Sequence, residues 1–259
     1  MLNHLNKGGQ MKKFSFLLTV FIFMGVNVIA DGHESSYEPY KAEYYVGKLL
    51  PGKTMDDMVK WAVDWKEWAD KSGMYDNYNV NLMVPYFIND GSTHDLMWYG
   101  RYPNSTEQFA GLDYWVNNGQ KLAAKLPLKN NLVVEVWQRD VSVPEGEPGQ
   151  TGYVMYQDCR LDEGVTGNDV YEAYYAYAKA ARELGDNLGR KMMWPVTGTS
   201  EAWNYDFIVV MYANSLAEYG VNNDLFWDQI NGKLEENKAL GEVGYQCYNR
   251  RSYTTMNIK

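Results

Sequence analysis

Polar and aromatic side chains alternate with apolar ones along three strand-like segments of this 259-residue sequence. Because successive side chains of a strand point to opposite faces, each segment has one apolar face and one mixed face. Amides, guanidinium groups and aromatic rings on a shared face can hold and orient a small organic ligand. The ligand-binding candidates are Asn79, Asn81, Tyr99, Arg101, Glu135, Trp137 and Arg139.

The second half of the sequence carries a smaller set of the same kind. Its mixed strand positions are Asp158, Arg160, Tyr212, Gln246 and Tyr248. Both sets assume that the purely apolar face of each strand meets helices, and a shift of one residue would invert the assignment. The alternative for the charged members is structural, with Glu135 forming an ion pair with Arg101 or Arg139.

Candidates for catalysis are few. His94 next to Asp95 could act as an acid–base unit, although adjacent strand residues point apart, and a turn histidine is the alternative. The catalytic candidates are therefore His94, Tyr99 and Arg101. The sequence has no Gly-x-Ser-x-Gly, P-loop or Gly-x-Gly-x-x-Gly motif. With three scattered histidines and two cysteines, we expect no metal site and no cofactor.

Three tryptophans follow one another at helical spacing. Trp65 belongs to an apolar stripe and is expected in the core, whereas Trp61 and Trp68 flank that stripe. The repeat described below places Ala173 and Ala180 at the flanking positions of the second half, so the repeat itself does not require tryptophan there. Trp61 and Trp68 could extend a ligand wall or contact a partner; packing is the alternative.

The elements that must position these residues occur twice, about 110 residues apart. Thr-x-x-Asp begins at Thr54 and again at Thr166, and Ser-x-x-Gln/Glu begins at Ser105 and again at Ser215. Both patterns are typical of helix N-termini, where a hydroxyl accepts from unpaired backbone N–H groups. The two halves therefore share one order of elements.

Each half is predicted to run strand–helix–strand–strand–helix–strand, a ferredoxin-like unit, over residues 37–141 and 153–255. Residues 142–152, rich in Pro, Gly and Glu, form the predicted linker. Two helices cover only one face of a four-stranded sheet. The sequence therefore predicts an α+β fold in which two tandem ferredoxin-like βαββαβ repeats pack sheet to sheet as one intramolecular α/β barrel.

This order of elements, written twice, resembles the dimeric α/β-barrel superfamily in a fused, tandem form over about residues 37–255. The resemblance implies the barrel and, because the superfamily contains cofactor-independent monooxygenases and isomerases, makes such an enzyme one expectation. Fused relatives such as the chlorite dismutase-like proteins hold haem through a histidine in one repeat. Residues 144–259 contain no histidine, so we do not expect a haem site of that kind.

The first thirty residues are typical of a secretory signal peptide. Lys12 and Lys13 precede an apolar run from Phe14 to Ala30, and Met11 is the expected start. The alternative is a retained membrane anchor, although the run is slightly short of the roughly 20 residues that span a bilayer. Cleavage after residue 30 predicts a periplasmic or secreted protein with no membrane association.

Export bears on the two cysteines, Cys159 and Cys247. They lie in the predicted first and last strands of the second half, which are antiparallel neighbours in a ferredoxin-like sheet. An oxidising compartment would permit a cross-strand disulfide; two buried thiols are the alternative. The formal charge of −9 argues against a nucleic-acid partner, which requires clustered Lys and Arg.

These observations predict an exported α/β-barrel protein that binds a small organic ligand. The alternative is a non-catalytic periplasmic binding or interaction module that uses a Trp61/Trp68 surface. The oligomeric state stays open, and a monomer is feasible because the barrel can close within one chain.

Overall fold

A computed structural model describes residues 37–91, 93–200 and 202–259. The predicted signal peptide, residues 1–30, and the predicted start at Met11 lie outside the described residues. No helix in the described ranges is both long and apolar enough to cross a membrane.

The first half consists of four strands and three helices. In chain order they are β1 (Tyr40–Leu49), α1 (Met55–Ser72), β2 (Asn79–Pro85), β3 (Leu96–Tyr102), α2 (Ser105–Asn118), α3 (Gln120–Ala123) and β4 (Leu128–Ser142). The second half repeats this order with a broken final helix. Its elements are β5 (Gly152–Leu161), α4 (Gly167–Glu183), β6 (Gly189–Thr197), β7 (Phe207–Ala213), α5 (Leu216–Leu225), a π-helical turn (Phe226–Ile230), α6 (Glu235–Glu242) and β8 (Tyr245–Asn257).

The repeat extends to individual hydrogen bonds at the helix N-termini. The backbone N–H of Asp57 donates to Thr54 Oγ1 over 3.3 Å, and that of Asp169 donates to Thr166 Oγ1 over 3.2 Å. In both cases the aspartate accepts the threonine N–H in return, which completes a capping box. The same local chemistry therefore starts α1 and α4.

The second pair of predicted caps is only half right. Ser215 caps α5 by accepting the backbone N–H of Glu218 over 3.1 Å. In the first half the cap is Asn104, whose side-chain oxygen accepts the N–H of Glu107 over 2.9 Å, and Ser105 is the first helical residue. Asn and Ser are both strong N-caps, so the preceding asparagine takes the role.

The strands form one closed antiparallel barrel in the order β1-β3-β2-β8-β5-β7-β6-β4. Each half contributes a four-stranded sheet with ferredoxin-like order, and the pairs β2–β8 and β4–β6 join the two sheets. The predicted fold class is thus confirmed, with the two sheets hydrogen-bonded to each other at both edges. The barrel closes within a single chain.

Every strand contributes to an apolar cluster inside the barrel. Its buried members are Ala42, Tyr44, Met83, Met97, Tyr99, Val134, Val136, Val154, Tyr156, Met193, Ile208, Val210 and Tyr253. Two further clusters lie outside the barrel wall, one between the first-half strands and α1 and α2, and one between the second-half strands and α4. The first of these outer clusters is dominated by Trp and Tyr.

A disulfide links the first and last strands of the second half, which are neighbours in the sheet. Cys159 on β5 and Cys247 on β8 are directly opposite each other and form a disulfide. The helical segment after Ser215 is interrupted: α5 ends at Leu225 and is followed by the π-helical turn and then by α6. Gly232, with φ 67°, makes the bend between those last two elements.

Candidate functional site

Two tyrosines divide the barrel interior into two cavities. Tyr44 on β1 and Tyr156 on β5 line both cavities, and their rings meet edge to face with centroids 6.1 Å apart. The linker-side cavity, of about 360 Å³, is bordered by the segment that joins the two halves, including Pro144 and Pro148. The loop-side cavity, of about 440 Å³, is bordered by Trp203 and Tyr205 between β6 and β7.

The linker-side cavity brings together five of the predicted ligand-binding residues. They are Asn79, Asn81, Tyr99, Arg101 and Tyr212. Asn79 pairs directly with Arg101 across the β2–β3 ladder, and Asn81 pairs with Tyr99. Since paired residues share a face, all four side chains project into the barrel. The mixed-face prediction for β2 and β3 therefore matches their placement.

The prediction for β4 is wrong. Glu135, Trp137 and Arg139 lie on the outer face of the strand, whereas Val134 and Val136 point into the barrel. The apolar face was expected to meet helices, but it packs into the barrel interior, and the outer face is left partly exposed at Val133 and Trp137. Alternation therefore identifies the more buried face of β4, but not whether helices or the barrel interior bury it.

The three displaced residues make structural contacts instead. Glu135 forms an ion pair with the buried Lys41 of β1, and the Lys41 ammonium also lies 4.6 Å from the centre of the Trp137 ring. The guanidinium of Arg139 stacks on Tyr171 of α4 at 3.8 Å. Glu135 is thus a structural ion-pair partner, but its cation is Lys41 and neither Arg101 nor Arg139.

The inner face of β4 supplies two polar residues that the sequence analysis missed. Gln138 is fully buried, donating from Nε2 to the Tyr99 hydroxyl over 3.3 Å and accepting from the Tyr44 hydroxyl over 3.4 Å. Asp140 accepts from the Tyr40 hydroxyl over 3.0 Å. Their position just beyond Val134 and Val136, at the same two-residue period, was the available signal.

Lys191 on β6 is the charged centre of the linker-side cavity. Its ammonium donates to the Tyr40 hydroxyl over 2.9 Å, lies 3.7 Å from Asp140, and sits 4.6 Å from the centre of the Tyr212 ring. Burial lowers the pKa of Lys191, but the oxygens of Tyr40, Tyr99 and Asp140 outweigh burial and hold the pKa above its usual value. Lys191 is therefore a buried permanent cation.

The rest of the cavity supplies further donors. Burial raises the pKa of Tyr40 and of Tyr212, so both phenols stay protonated at neutral pH. Arg101 is exposed at the cavity rim, 5.6 Å from the centre of the Tyr40 ring, and forms no ion pair with any described residue. The charged side chains that line this cavity, Arg101 and Lys191, are both cations.

Most of the second-half candidates lie at the opposite end. Asp158, Arg160 and Tyr248 line the loop-side cavity, where Asp158 is paired with Arg251 over 2.9 Å. Tyr212 belongs to the linker-side cavity, since β7 begins at one end of the barrel and finishes at the other. Gln246, in register with Arg160, is exposed and does not line the cavity.

The catalytic candidate His94 is not brought to Tyr99 and Arg101. It precedes β3, whereas Arg101 is near the end of that strand, so the length of the barrel separates them. Its Nδ1 lies 2.7 Å from Thr93 Oγ1, and its ring lies beside Tyr253. Burial, followed by the nearby Arg251 cation, lowers the pKa of His94, which favours the neutral ring. Asp95 instead accepts the backbone N–H of Leu49.

Trp61 and Trp68 do not form the predicted contact surface. Trp61 is only 8 % exposed and donates from its indole nitrogen to the Leu122 carbonyl over 2.9 Å. Trp68 is half-buried, with its ring packed against Tyr114 and Trp115 of α2. The second helical segment of the first half folds over this flank, which the stripe pattern of α1 alone does not reveal.

No family model and no curated protein sequence matches this chain. Solved structures with a similar fold include a mutant chlorite dismutase from Candidatus Nitrospira defluvii, 12 % identical, with a TM-score of 0.49 over 86 % of this chain and 94 % of that one. The same enzyme in complex with imidazole is 13 % identical, with a TM-score of 0.49 over 85 % and 92 %. A novel heme-binding protein from Thermus thermophilus is 11 % identical, with a TM-score of 0.44 over 86 % and 94 %. At these identities the likeness concerns the fold alone.

The second half of the chain offers no histidine and no free thiol that could hold a haem iron. Residues 144–259 contain no histidine, and both cysteines are consumed by the disulfide. Within the described ranges, no group of three or more His, Cys, Asp or Glu side chains is placed to hold a metal ion.

Proposed function

We propose that this chain is an exported protein that binds a small aromatic anion, such as an aromatic carboxylate, in the linker-side cavity. The observation that carries the proposal is the convergence of two cations, Lys191 and Arg101, with the amides Asn79 and Asn81 at one end of the barrel. A volume of about 360 Å³ lies within the range of small-molecule sites, roughly 300–1,000 Å³.

Lys191 is buried and Arg101 is exposed, so the two cations have different roles in binding. Lys191 is fixed by Tyr40 and Asp140, so it supplies a positive potential at the inner end of the cavity without having to move. Arg101 is free of carboxylate partners in the described structure and can make the bidentate contact that guanidinium offers a carboxylate. The rings of Tyr99 and Tyr212 provide flat walls for an aromatic ligand.

The geometry favours binding over the cofactor-independent oxidation or isomerisation that the superfamily resemblance implies. Such reactions need a group that takes a proton from the substrate near neutral pH. The lining groups Lys191 and Tyr212 have raised pKa values, so each already holds its proton. They are suited to donating hydrogen bonds to a bound anion.

Export is the second part of the proposal. The disulfide between Cys159 and Cys247 supports it, because structural disulfides persist mainly in oxidising compartments. If the signal peptide is cleaved as proposed, the intact mass of the protein recovered from the periplasm or medium corresponds to a chain beginning at Asp31. A mature chain that retains residues 11–30 would contradict cleavage.

Calorimetric titration with 4-hydroxybenzoate and with its uncharged amide tests the binding site. Arg101→Gln should weaken carboxylate binding at least tenfold, because a charge-assisted hydrogen bond contributes about 1.5–3 kcal/mol. The matched control is Arg160→Gln, which removes the same group from the loop-side cavity and should leave affinity unchanged. Equal binding of acid and amide, or equal loss in both variants, would overturn the assignment.

A further inference from the structure

A third cavity, of about 120 Å³, lies outside the barrel, between the first-half sheet and the helices α1 and α2. We call it the tryptophan cage. Eight of its fourteen lining residues are aromatic, Met58 and three leucines complete the apolar wall, and its one charged residue is Glu43. The aromatic lining residues are Tyr45, Trp61, Trp65, Tyr75, Tyr78, Trp98, Tyr102 and Trp115.

Glu43 is buried in the wall of this cage without a positive partner. It is 5 % exposed and accepts hydrogen bonds from the Tyr78 hydroxyl over 2.6 Å and the Tyr45 hydroxyl over 3.2 Å. No Lys or Arg among the described residues forms an ion pair with Glu43; the nearest strand neighbour, Lys41, is paired with Glu135. A buried carboxylate is stable only when hydrogen-bonded and balanced, and here the balancing charge is missing.

The cage is a property of one half of the molecule. The strand pairings align Glu43 with Met155 of the second half, because each lies opposite the equivalent position of β3 or β7. At the same offset of 112 residues Trp61 corresponds to Ala173, and at the offset of 111 that relates β3 to β7 Trp98 corresponds to Val209. The second half therefore has the same fold without a carboxylate and without indoles at these three positions.

The rings of the cage are held in place around the acid. Trp65 and Trp98 meet edge to face at 4.8 Å, and the Trp98 indole donates to the Tyr78 hydroxyl over 3.2 Å. Asn130 is exposed and Tyr45 half-buried, so the cavity reaches solvent on that side. The arrangement is a rigid aromatic box with a carboxylate in its wall and an opening at one end.

We propose that the tryptophan cage binds a small organic cation through a methylated ammonium head group. Aromatic faces attract a desolvated cation by about 2 kcal/mol or more, and a quaternary ammonium ion suits such a box since it has no N–H groups to satisfy. Glu43 supplies the missing opposite charge. An apolar cavity of roughly 150 Å³ holds benzene, so 120 Å³ accommodates a compact head group whose chain extends past Tyr45 and Asn130.

If choline affinity depends on the charge of Glu43, the ligand does more than fill an apolar cavity. Burial raises the pKa of Glu43 from 4.5 to about 7, outweighing the hydrogen bonds from the tyrosines and Gln108. Choline binding should therefore tighten at least fivefold from pH 5.5 to pH 8.5, as the cation favours the carboxylate. The other titratable groups facing Glu43 are Tyr45, Tyr75, Tyr78 and Tyr102, and Glu135 with its partner Lys41. Burial raises the pKa of these tyrosines, which keeps them neutral over this range.

The test is a titration of the mature protein with choline and with its uncharged carbon isostere, 3,3-dimethylbutan-1-ol, followed by tryptophan fluorescence and calorimetry. Choline should bind at least tenfold more tightly than the alcohol at pH 8.5. Glu43→Gln should remove this preference and its pH dependence, since the amide keeps the shape and loses the charge. Trp227→Phe, at an exposed indole of the second half, is the matched fluorescence control.

Equal affinity for choline and the alcohol would overturn the proposal, as would choline binding that Glu43→Gln leaves unchanged. Absence of choline binding at pH 8.5 to protein with native circular dichroism would overturn it as well. Arg101→Gln should leave choline binding unaffected, so a failure here is distinguishable from a failure of the linker-side site.

Discussion

Two buried charges of opposite sign mark this molecule at the scale of single residues. Lys191 in the barrel has a carboxylate partner, Asp140, and donates to the Tyr40 hydroxyl. Glu43 outside the barrel has hydrogen bonds from tyrosines but no cation. Because burial penalises a charge that lacks an opposite partner, the two residues should affect stability in different ways.

Replacing Glu43 should stabilise the protein at alkaline pH. Its pKa is about 7 when folded and 4.5 when unfolded, so the folded chain holds this proton more tightly. The contribution of Glu43 to stability is thus fully present below about pH 4.5 and is lost as pH rises through 7. At about 1.4 kcal/mol per pKa unit, Glu43→Gln should raise the free energy of unfolding at pH 8 by roughly 3 kcal/mol.

Urea unfolding at pH 5 and pH 8 measures this effect. The difference between Glu43→Gln and the unmodified protein should be much smaller at pH 5. The control is Glu67→Gln, which removes an exposed carboxylate from the same half and should change stability by less than about 0.5 kcal/mol at either pH. A destabilised Glu43→Gln protein at pH 8 would contradict an uncompensated charge.

At the scale of elements, the predictable features are the local ones. Capping at Thr54 and Thr166, the alternation of β3 and the apolar stripe of α1 all follow from contacts within one element. The face of β4 could not be predicted, because Val134 and Val136 meet the other half of the barrel and Glu135 meets Lys41. Only the long-range strand pairing decides which face of β4 points into the barrel.

The polar members of the linker-side cavity show the same limit. Asn79 and Arg101 could be predicted because each lies on a short strand with one plainly apolar face. The remaining residues of such a strand must share the opposite face. The two-residue period from Val136 to Asp140 shows only that these residues share a face. Whether that face, or the face of Lys191, points inward depends on the β4–β6 junction. That junction pairs a strand of the first half with a strand of the second, and neither half alone contains a sequence pattern that predicts it.

The disulfide between β5 and β8 is an element-scale staple. It links residues 88 positions apart, so its removal restores considerable freedom to the unfolded chain. The double variant Cys159→Ser, Cys247→Ser should lose about 2–4 kcal/mol of stability in denaturant titration. Affinity for 4-hydroxybenzoate should be retained at temperatures where the variant is folded. Unchanged stability would contradict the claim that this disulfide stabilises the protein by constraining the unfolded chain.

At the scale of the whole molecule, two similar halves close one barrel and then diverge. The shared interior provides a cavity at each end, separated by Tyr44 and Tyr156. The linker that joins the halves also borders the cationic cavity: its Gly149 N–H donates to the Asn214 carbonyl, and both residues line that cavity. Fusion of the repeats thereby builds a site that neither repeat contains alone.

The central claim is that the linker-side cavity holds a small organic anion. Native mass spectrometry of the protein purified from its own host tests this most directly, with Arg101→Gln prepared in parallel. We expect the unmodified protein to retain an added mass that dissociates as an anion, and Arg101→Gln to have lost most of it. Retention of the same mass by both proteins, or retention of a neutral or cationic molecule displaced by choline alone, would contradict the claim.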